Sequence, residues 1–268
     1  MEALQRSLEQ ALPAPTRTDL PAEVLALARR FEAFGCEGGR LVRLTQSGEM
    51  RLRPGAKPLA FTARQTIALT EVSFLWRALF RVSGLPMQVV DYLVDGQGGL
   101  RVQLLDLLPL VRKKGGSAMF RGEAMRYLAE LMWAPDAMLV NPQLDWQVIN
   151  EHTLAVATGE GARRCEIRLI LDESGDPIRV EADDRPYMEG SSFTARQWFG
   201  RGGDYRMVNG RRIPTRGEVG WILDGVEFVY GRFRIESWLL EESAGALGPR
   251  HLTAQRRLRS LSSRINAR

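Results

Sequence analysis

Histidine and cysteine are both scarce in this sequence. Its 268 residues include two histidines, His152 and His251, and two cysteines, Cys36 and Cys165, which lie far apart in the chain. A zinc site built on histidine and a multi-histidine acid–base centre are therefore not predicted, and the two cysteines are expected to be isolated thiols. We predict no metal and no cofactor.

Long apolar runs and the common phosphate-binding and nucleophile motifs are absent too. No run of about 18 apolar residues predicts a transmembrane helix, and the opening stretch, with Glu2 and Glu9 and no apolar core, does not have the pattern of a secretory signal. No GxxxxGK(S/T) loop, no GxGxxG after a strand and no GxSxG turn occurs. We therefore expect a cytoplasmic protein without these nucleotide-binding or hydrolase motifs.

Positive charge is concentrated at the C-terminus. The net charge is +5, but residues 250–268 hold six arginines and no acidic residue, which leaves residues 1–249 at −1. A basic segment of this kind is attracted to anionic surfaces. We predict a basic tail over residues 246–268 and weak contact with an anionic membrane or nucleic acid through residues 250–268.

One stretch, residues 119–133, has the pattern of a nearly all-apolar helix. Apolar residues recur on one face at helical spacing, and Pro135 ends the helix near Trp133. Its polar residues, Glu123, Arg126 and Glu130, form one narrow stripe. A helix with so thin a polar stripe is expected to be buried.

Most of the remaining sequence predicts antiparallel strands. Residues 71–82 show the clearest alternation in the chain, although Leu75 and Leu79 lie among the polar residues of the other side. The apolar side holds Val72, Phe74, Trp76, Ala78, Phe80 and Val82. Turn signals occur at 46–49, 95–99, 173–177, 209–210 and 224–225. These turns predict ten or eleven strands, and Leu20-Pro21 predicts a further helix ahead of them.

These patterns predict a mainly β fold with helices (α+β). We expect an unclosed antiparallel barrel, or a strongly curved sheet, wrapping a central apolar helix. Residues 1–19 are expected to be a flexible N-terminal segment, with a single sheet domain and helical lid over 20–245.

The polar stripe of the predicted helix is open to two interpretations. Glu123 and Glu130 could act as paired carboxylates in acid–base chemistry, but Arg126 between them favours their ionised forms. An internal ion network, or an anchor for the polar end of a ligand, fits that pattern better. Arg185, Arg212 and Arg216 stand near acidic residues and are interpreted as surface salt bridges.

Several short motifs in a fixed order resemble a bacterial family of uncharacterised proteins, a domain of unknown function. The resemblance covers residues 20–238 and rests on Leu20-Pro21, Phe74-x-Trp76-x-Ala78, Asp91-Tyr92, Arg126-Tyr127-Leu128-Ala129-Glu130, Trp133-x-Pro135, Trp146, Asp204-Tyr205, Ile213-Pro214, Glu218 and Trp221. It implies a fold similar to the lipoprotein carriers LolA and LolB. That fold is an unclosed antiparallel barrel with a helical lid over an apolar concavity.

We interpret the chain as a non-enzymatic binding protein for a lipid or other apolar small molecule in the concave face of the sheet. One alternative is a hydrolase that uses Glu123 or Glu130, and another is an interaction scaffold that acts through its arginine-rich tail. A third possibility is that the same apolar residues simply fill the core. No catalytic residue is predicted, and the predicted ligand-binding residues are Trp76, Tyr92, Glu123, Arg126, Tyr127, Glu130 and Trp133.

Overall fold

The protein is described from a computed structural model, which covers residues 2–10, 12, 14–33, 39–105, 108–190 and 192–242. Its helices are α1 (Glu2–Glu9), α2 (Ala22–Arg30), α3 (Ser117–Ala129) and α4 (Ala137–Val140). Its strands are β1 (Gly39–Met50), β2 (Leu59–Ala68), β3 (Phe74–Val82), β4 (Leu85–Val94), β5 (Gln97–Leu104), β6 (Leu108–Lys114), β7 (Asp145–Asn150), β8 (Thr153–Thr158), β9 (Cys165–Leu171), β10 (Pro177–Glu189), β11 (Ser192–Val208), β12 (Arg211–Leu223) and β13 (Val226–Glu242).

All thirteen strands of the described residues belong to one antiparallel sheet in the order β6-β5-β4-β3-β2-β1-β13-β12-β11-β10-β9-β8-β7. Each strand therefore pairs with its sequence neighbour, except where β1 pairs with β13 across the centre of the sheet. The edges are β6 and β7, which do not pair with each other in that order. The prediction of a mainly β, antiparallel and unclosed sheet is confirmed.

Two-residue turns connect several of the hairpins, as their sequences predict. Asp95-Gly96, Asn209-Gly210 and Asp224-Gly225 all have positive φ at both positions, from +47° to +81°. That conformation matches the twist of the flanking strands and is tolerated by Asn, Asp and Gly. It fixes the registers of β4 with β5, β11 with β12 and β12 with β13.

The predicted turn at 46–49 is wrong, because these residues continue β1 as far as Met50. Gly48 lies in the middle of the sheet and pairs with Phe233. A Cβ at this position would lie 2.8 Å from the Cβ of Phe233 and 2.3 Å from the carbonyl oxygen of Arg232. Glycine is needed here for close packing between strands rather than for chain reversal.

The expectation of a flexible segment over residues 1–19 is also wrong for its first part. Glu2–Glu9 forms α1, and Leu8 is fully buried against β1, β3 and β4. The α1 cluster, Leu8 with Leu41, Ala68, Leu75, Val90, Tyr92 and Val94, is a small second core on its own face of the sheet. Burial of this apolar surface orders a helix whose sequence alone gives little stability.

Helix α3 lies between the two ends of the sheet. It starts at Ser117 and ends at Ala129, and a 3-10 turn over Glu130–Met132 follows. It contacts β4 and β5 near one edge and β8, β9 and β10 near the other. A flat sheet would hold β4 and β10 about 34 Å apart at ~4.8 Å per strand, whereas a helix is only about 10–12 Å wide. The sheet must therefore curve strongly around this side.

Two tryptophans connect the segment after α3 to β12 and β13 by hydrogen bonds. The indole Nε1 of Trp133 donates to the carbonyl of Pro214 at 2.7 Å, and Nε1 of Trp238 donates to the carbonyl of Trp133, also at 2.7 Å. Buried indole N–H groups need such partners. Among the described residues, no helix is both long and apolar enough to cross a membrane.

A charge placed in the buried face of α3 should strongly destabilise the fold. Met125 is fully buried, so Met125→Asp would bury a carboxylate without a partner and lower the thermal midpoint by about 10 °C or more. Ser117→Asp places the same side chain at the exposed first residue of α3 and is the matched control. Circular dichroism melting curves compare them, and a wild-type midpoint for Met125→Asp would contradict the fold.

Candidate functional site

A cavity of about 470 Å³ lies on the inner face of the curved sheet, beside α3 and the turn that follows it. It is bordered by β1–β6 on one side and β10–β13 on the other, which is possible only because the sheet bends. Most of its lining is apolar: Met50, Leu52, Phe61, Trp76, Phe80, Met87, Val89, Leu100, Val102, Val111, Met132, Trp133, Val180, Trp198, Val219, Tyr230 and Phe233.

Strand alternation determines which side chains reach this cavity. On β3, Trp76 and Phe80 point inward, and on β4 the neighbouring inward positions are Met87, Val89 and Asp91. The interior residues on β3 are buried, with Trp76 at 5% and Phe80 at 2% exposure. Leu52, two residues after the end of β1, is 72% exposed and marks the outer rim. The cavity therefore runs from solvent into the core.

A buried ion network lies in the wall of this apolar cavity. The Arg126 guanidinium donates through Nε to Glu130 Oε1 at 2.9 Å and through Nη1 to Asp91 Oδ2. The other Glu130 oxygen accepts a hydrogen bond from Gln65. Burial alone would lower the pKa of Arg126, but the carboxylates of Glu130 and Asp91 raise it, so this arginine stays charged.

Aromatic rings complete the surroundings of Arg126. Its Cζ lies 4.9 Å from the ring centre of Phe74 and 5.0 Å from that of Trp76. The indole Nε1 of Trp76 donates to Gln46 at 2.8 Å. The charge is thus held between carboxylates and ring faces, an arrangement in which cation–π attraction is strongest because water is excluded.

Glu123 is the least compensated acid of the site. In the part of the chain that the structure describes, Oε2 of Glu123 and Oδ1 of Asp91 are both buried with no hydrogen-bond donor. Burial, reinforced by the neighbouring Asp91 charge, raises the pKa of Glu123 well above its ordinary value. A protonated Glu123 donates to Asp91, and one proton then satisfies both carboxyl groups.

The predicted site residues fall into three groups. Trp76, Arg126, Glu130 and Trp133 line the cavity, whereas Glu123 lies behind its wall beside Asp91. The other two predicted residues, Tyr127 and Tyr92, lie away from the cavity.

Tyr127 is fully buried away from the cavity. Its hydroxyl donates to the Ala68 carbonyl at 2.8 Å and accepts from Asn141 at 2.9 Å. Burial raises its pKa. These bonds give Tyr127 a structural place in the core.

The expectation that Tyr92 faces the concave side requires correction. Tyr92 is 1% exposed and belongs to the α1 cluster, on the face of β4 opposite the cavity. Because successive strand residues point to opposite faces, Asp91 takes the cavity side. Both faces of β4 are buried, so burial could not show which of them is concave.

Arg185 is a cavity residue that the sequence analysis missed. It is 8% exposed and lines the cavity, so the interpretation as a surface salt bridge is wrong. Alternation counted from Val180 and Ala182 would point Arg185 outward. The register of β10 with β11, however, shifts between Ala182 and Arg185. This bulge turns Arg185 inward.

The two other arginines interpreted in the same way do form ion pairs. Arg212 pairs with the largely buried Asp176, and Arg216 lies 3.6 Å from Asp204 at the surface. Neither of these two arginines lines the cavity.

Across the described ranges, no group of three or more His, Cys, Asp or Glu residues is placed to hold a metal ion. His152 lies at the surface, 3.7 Å from Glu151. Glu130 is held by Arg126 and Gln65, an arrangement typical of a structural carboxylate.

Comparison with known proteins gives a family and distant structural similarities. A family of unknown function (DUF6544) matches residues 12–233. No curated protein matches the chain. Three solved structures with a similar fold share 9–11% identity with this chain, and their TM-scores are under 0.5, values too low to bear on function.

Three solved structures illustrate this level of similarity. A LolA superfamily protein from Nitrosomonas europaea has a TM-score of 0.46 and 11% identity, over 82% of this chain and 94% of that one. A domain assigned as an outer membrane lipoprotein-sorting protein, from Vibrio parahaemolyticus, has a TM-score of 0.46 and 10% identity, over 82% and 91%. A DUF1329 family protein from Desulfovibrio piger has a TM-score of 0.39 and 9% identity, over 89% and 93%.

The raised pKa of Glu123 predicts a pH-dependent stability. A carboxyl whose pKa is higher in the folded protein stabilises the fold below its unfolded pKa of about 4.3, and that contribution is lost as pH rises through the folded value. Glu123→Gln keeps a donor toward Asp91 without the titration. Its free energy of unfolding relative to wild type should therefore rise between pH 5 and 8, by up to about 1.4 kcal/mol per pH unit.

Denaturant unfolding at several pH values measures this difference. Glu160→Gln, at an exposed glutamate, controls for the substitution itself. A difference between Glu123→Gln and wild type that stays constant from pH 5 to 8 would show that Glu123 is not protonated in the fold.

Proposed function

The chain belongs to the DUF6544 family, and we propose that it is a non-enzymatic binding protein for a lipid or other apolar small molecule. The observation that carries this proposal is the cavity of about 470 Å³. Ligand sites are concave, mostly apolar and about 300–1,000 Å³ in size, with few polar groups. This cavity has that size and composition.

The energetics of such a site favour hydrocarbon. Burying apolar surface stabilises a complex by about 25 cal/mol per Å². The cavity side chains from β2–β5 present mostly apolar surface, such as that of Phe61, Phe80, Met87 and Val102. The curvature of the sheet around α3 holds these strands in place before any ligand enters. A preformed site avoids part of the ordering cost of binding.

The polar wall of the cavity suits a binding protein better than an enzyme. Arg126 is held by two carboxylates and two rings, and Glu130 by two donors. Glu123 is not part of the cavity lining. A general acid must reach the substrate atom that it protonates, and these contacts hold Glu130 away from that role.

The second alternative, a scaffold that acts through its arginine-rich tail, concerns residues 250–268, which lie outside the described residues. Weak contact of this segment with an anionic membrane or nucleic acid stays a prediction from its charge. The cytoplasmic location likewise stays a prediction from the sequence.

Filling the cavity should abolish ligand binding. Val102 on β5 lines the cavity and is partly exposed, so Val102→Trp adds a large side chain to the binding space. Gln103→Trp adds the same side chain to the other face of β5 and is the matched control. We expect Val102→Trp to weaken binding of a long-chain amphiphile at least about tenfold, with Gln103→Trp unchanged.

Isothermal titration with dodecanoate and with 1-dodecanol measures this effect. Thermal melting of both variants establishes that each one is folded. The proposal fails if neither compound binds the wild type, or if both variants bind as tightly as the wild type.

A further inference from the structure

Arg185 is a buried guanidinium without an anionic partner. It is more than nine-tenths buried and lines the cavity. In the described part of the chain it makes no hydrogen bond and no ion pair. Arginine carries five N–H donors and is always charged. A buried charge in this state is costly unless something compensates it.

Aromatic rings hold the Arg185 guanidinium in place. Its Cζ lies 4.4 Å from the ring centre of Trp198 and 5.6 Å from that of Trp221. Stacking uses the face of the guanidinium and leaves the N–H donors at its edge unused. The side chain is thus oriented, largely buried and free to donate, as a receptor for a planar or tetrahedral anion requires.

The other arginines of the cavity wall differ from Arg185 in this respect. Arg126 is bound by Glu130 and Asp91. Arg201 lies 3.5 Å from Glu218 and 2.5 Å from Glu227. Carboxylates of the protein compensate the charges of Arg126 and Arg201, so neither arginine needs an anion from a ligand.

Glu123 is the nearby acid that could have neutralised Arg185. The two groups interact electrostatically but form no ion pair. Hydrogen bonding to Asp91 engages Glu123, and burial raises its pKa, so its neutral form leaves the Arg185 charge uncompensated. Arg185 is therefore the one arginine of the cavity wall that forms no ion pair within the described residues.

We propose that Arg185 binds the acidic head group of an amphiphile, a carboxylate or a phosphate monoester, while its hydrocarbon chain lies along the apolar wall of β2–β5. This inference rests on the proposed function and names the class of ligand. Two hydrogen bonds from one guanidinium edge match the paired oxygens of either acid.

The test is isothermal titration of the full chain at pH 8 with dodecanoate, dodecyl phosphate, 1-dodecanol and inorganic phosphate. We expect at least one of the two acids to bind about tenfold or more tightly than the alcohol, because charge-assisted hydrogen bonds are stronger than hydrogen bonds between neutral groups. Arg185→Met should remove this preference while still binding the alcohol, and Arg185→Lys should retain part of it. The better of the two acids identifies the head group.

A matched control lies on the same strand. Arg179 also stacks on an aromatic ring, with its Cζ 4.4 Å from the ring centre of Phe199, but it pairs with Glu181 and Glu227 and does not line the cavity. Arg179→Met should keep the full preference for the acid. Its behaviour separates the effect of Arg185 from a general loss of positive charge.

The outcomes separate this inference from the proposed function. If the wild type binds the alcohol and the acids equally, the cavity binds apolar ligands but Arg185 is not a head-group receptor. If the wild type binds none of the amphiphiles, the proposed function itself fails. Binding of inorganic phosphate as tightly as dodecyl phosphate would make Arg185 a simple anion site. The comparison of acid with alcohol in the wild type decides the inference even if Arg185→Met does not fold.

Discussion

The ion network around Arg126 is the interaction on which the interior arrangement depends. It joins helix α3 to β4 through Asp91, and through Glu130 and Gln65 it reaches β2. Leaving one partner of such a buried network unpaired costs about 3–5 kcal/mol. The network therefore sets where α3 lies against the sheet, and the position of α3 sets the depth of the cavity.

The curvature of the sheet is the second constraint, and it follows from connectivity. The segment that contains α3 links β6 to β7, the two opposite edges of the sheet. Its helix contacts strands near both edges, so the sheet bends until those strands reach it. Side chains from β1–β6 and β10–β13 then share one concave space that α3 does not fill. A cavity is the consequence of a long sheet curved around a short helix.

Local structure could be predicted from the sequence where one physical preference determines the conformation of a residue. The turns at Asn209-Gly210 and Asp224-Gly225 follow from backbone preference alone, and the inward face of β3 follows from the alternation of its side chains. Alternation does not identify the inward face of β2, because a polar residue, Gln65, occupies an inward position there as a member of the buried network. Gly48 was misassigned because glycine serves close packing as well as turns.

Four of the seven predicted ligand-binding residues line the cavity. Trp76, Arg126, Glu130 and Trp133 line the cavity because α3, the turn after it and β3 have clear periodicity. Arg185 is invisible to such reasoning, since the bulge in β10 changes which residues point inward. Its burial depends on Trp198, which only tertiary structure places beside it. Tyr92 shows the converse, because α1 buries the convex face as well.

The central claim is that the concave space holds an apolar ligand. Native mass spectrometry tests this claim most directly, on the intact protein purified from cells without detergent and then incubated with a total lipid extract. The account predicts a retained small-molecule adduct that is released on collisional activation and identified as an amphiphile in the released fraction. A spectrum that shows only the mass of the polypeptide, both before and after incubation with the lipid extract, would contradict it.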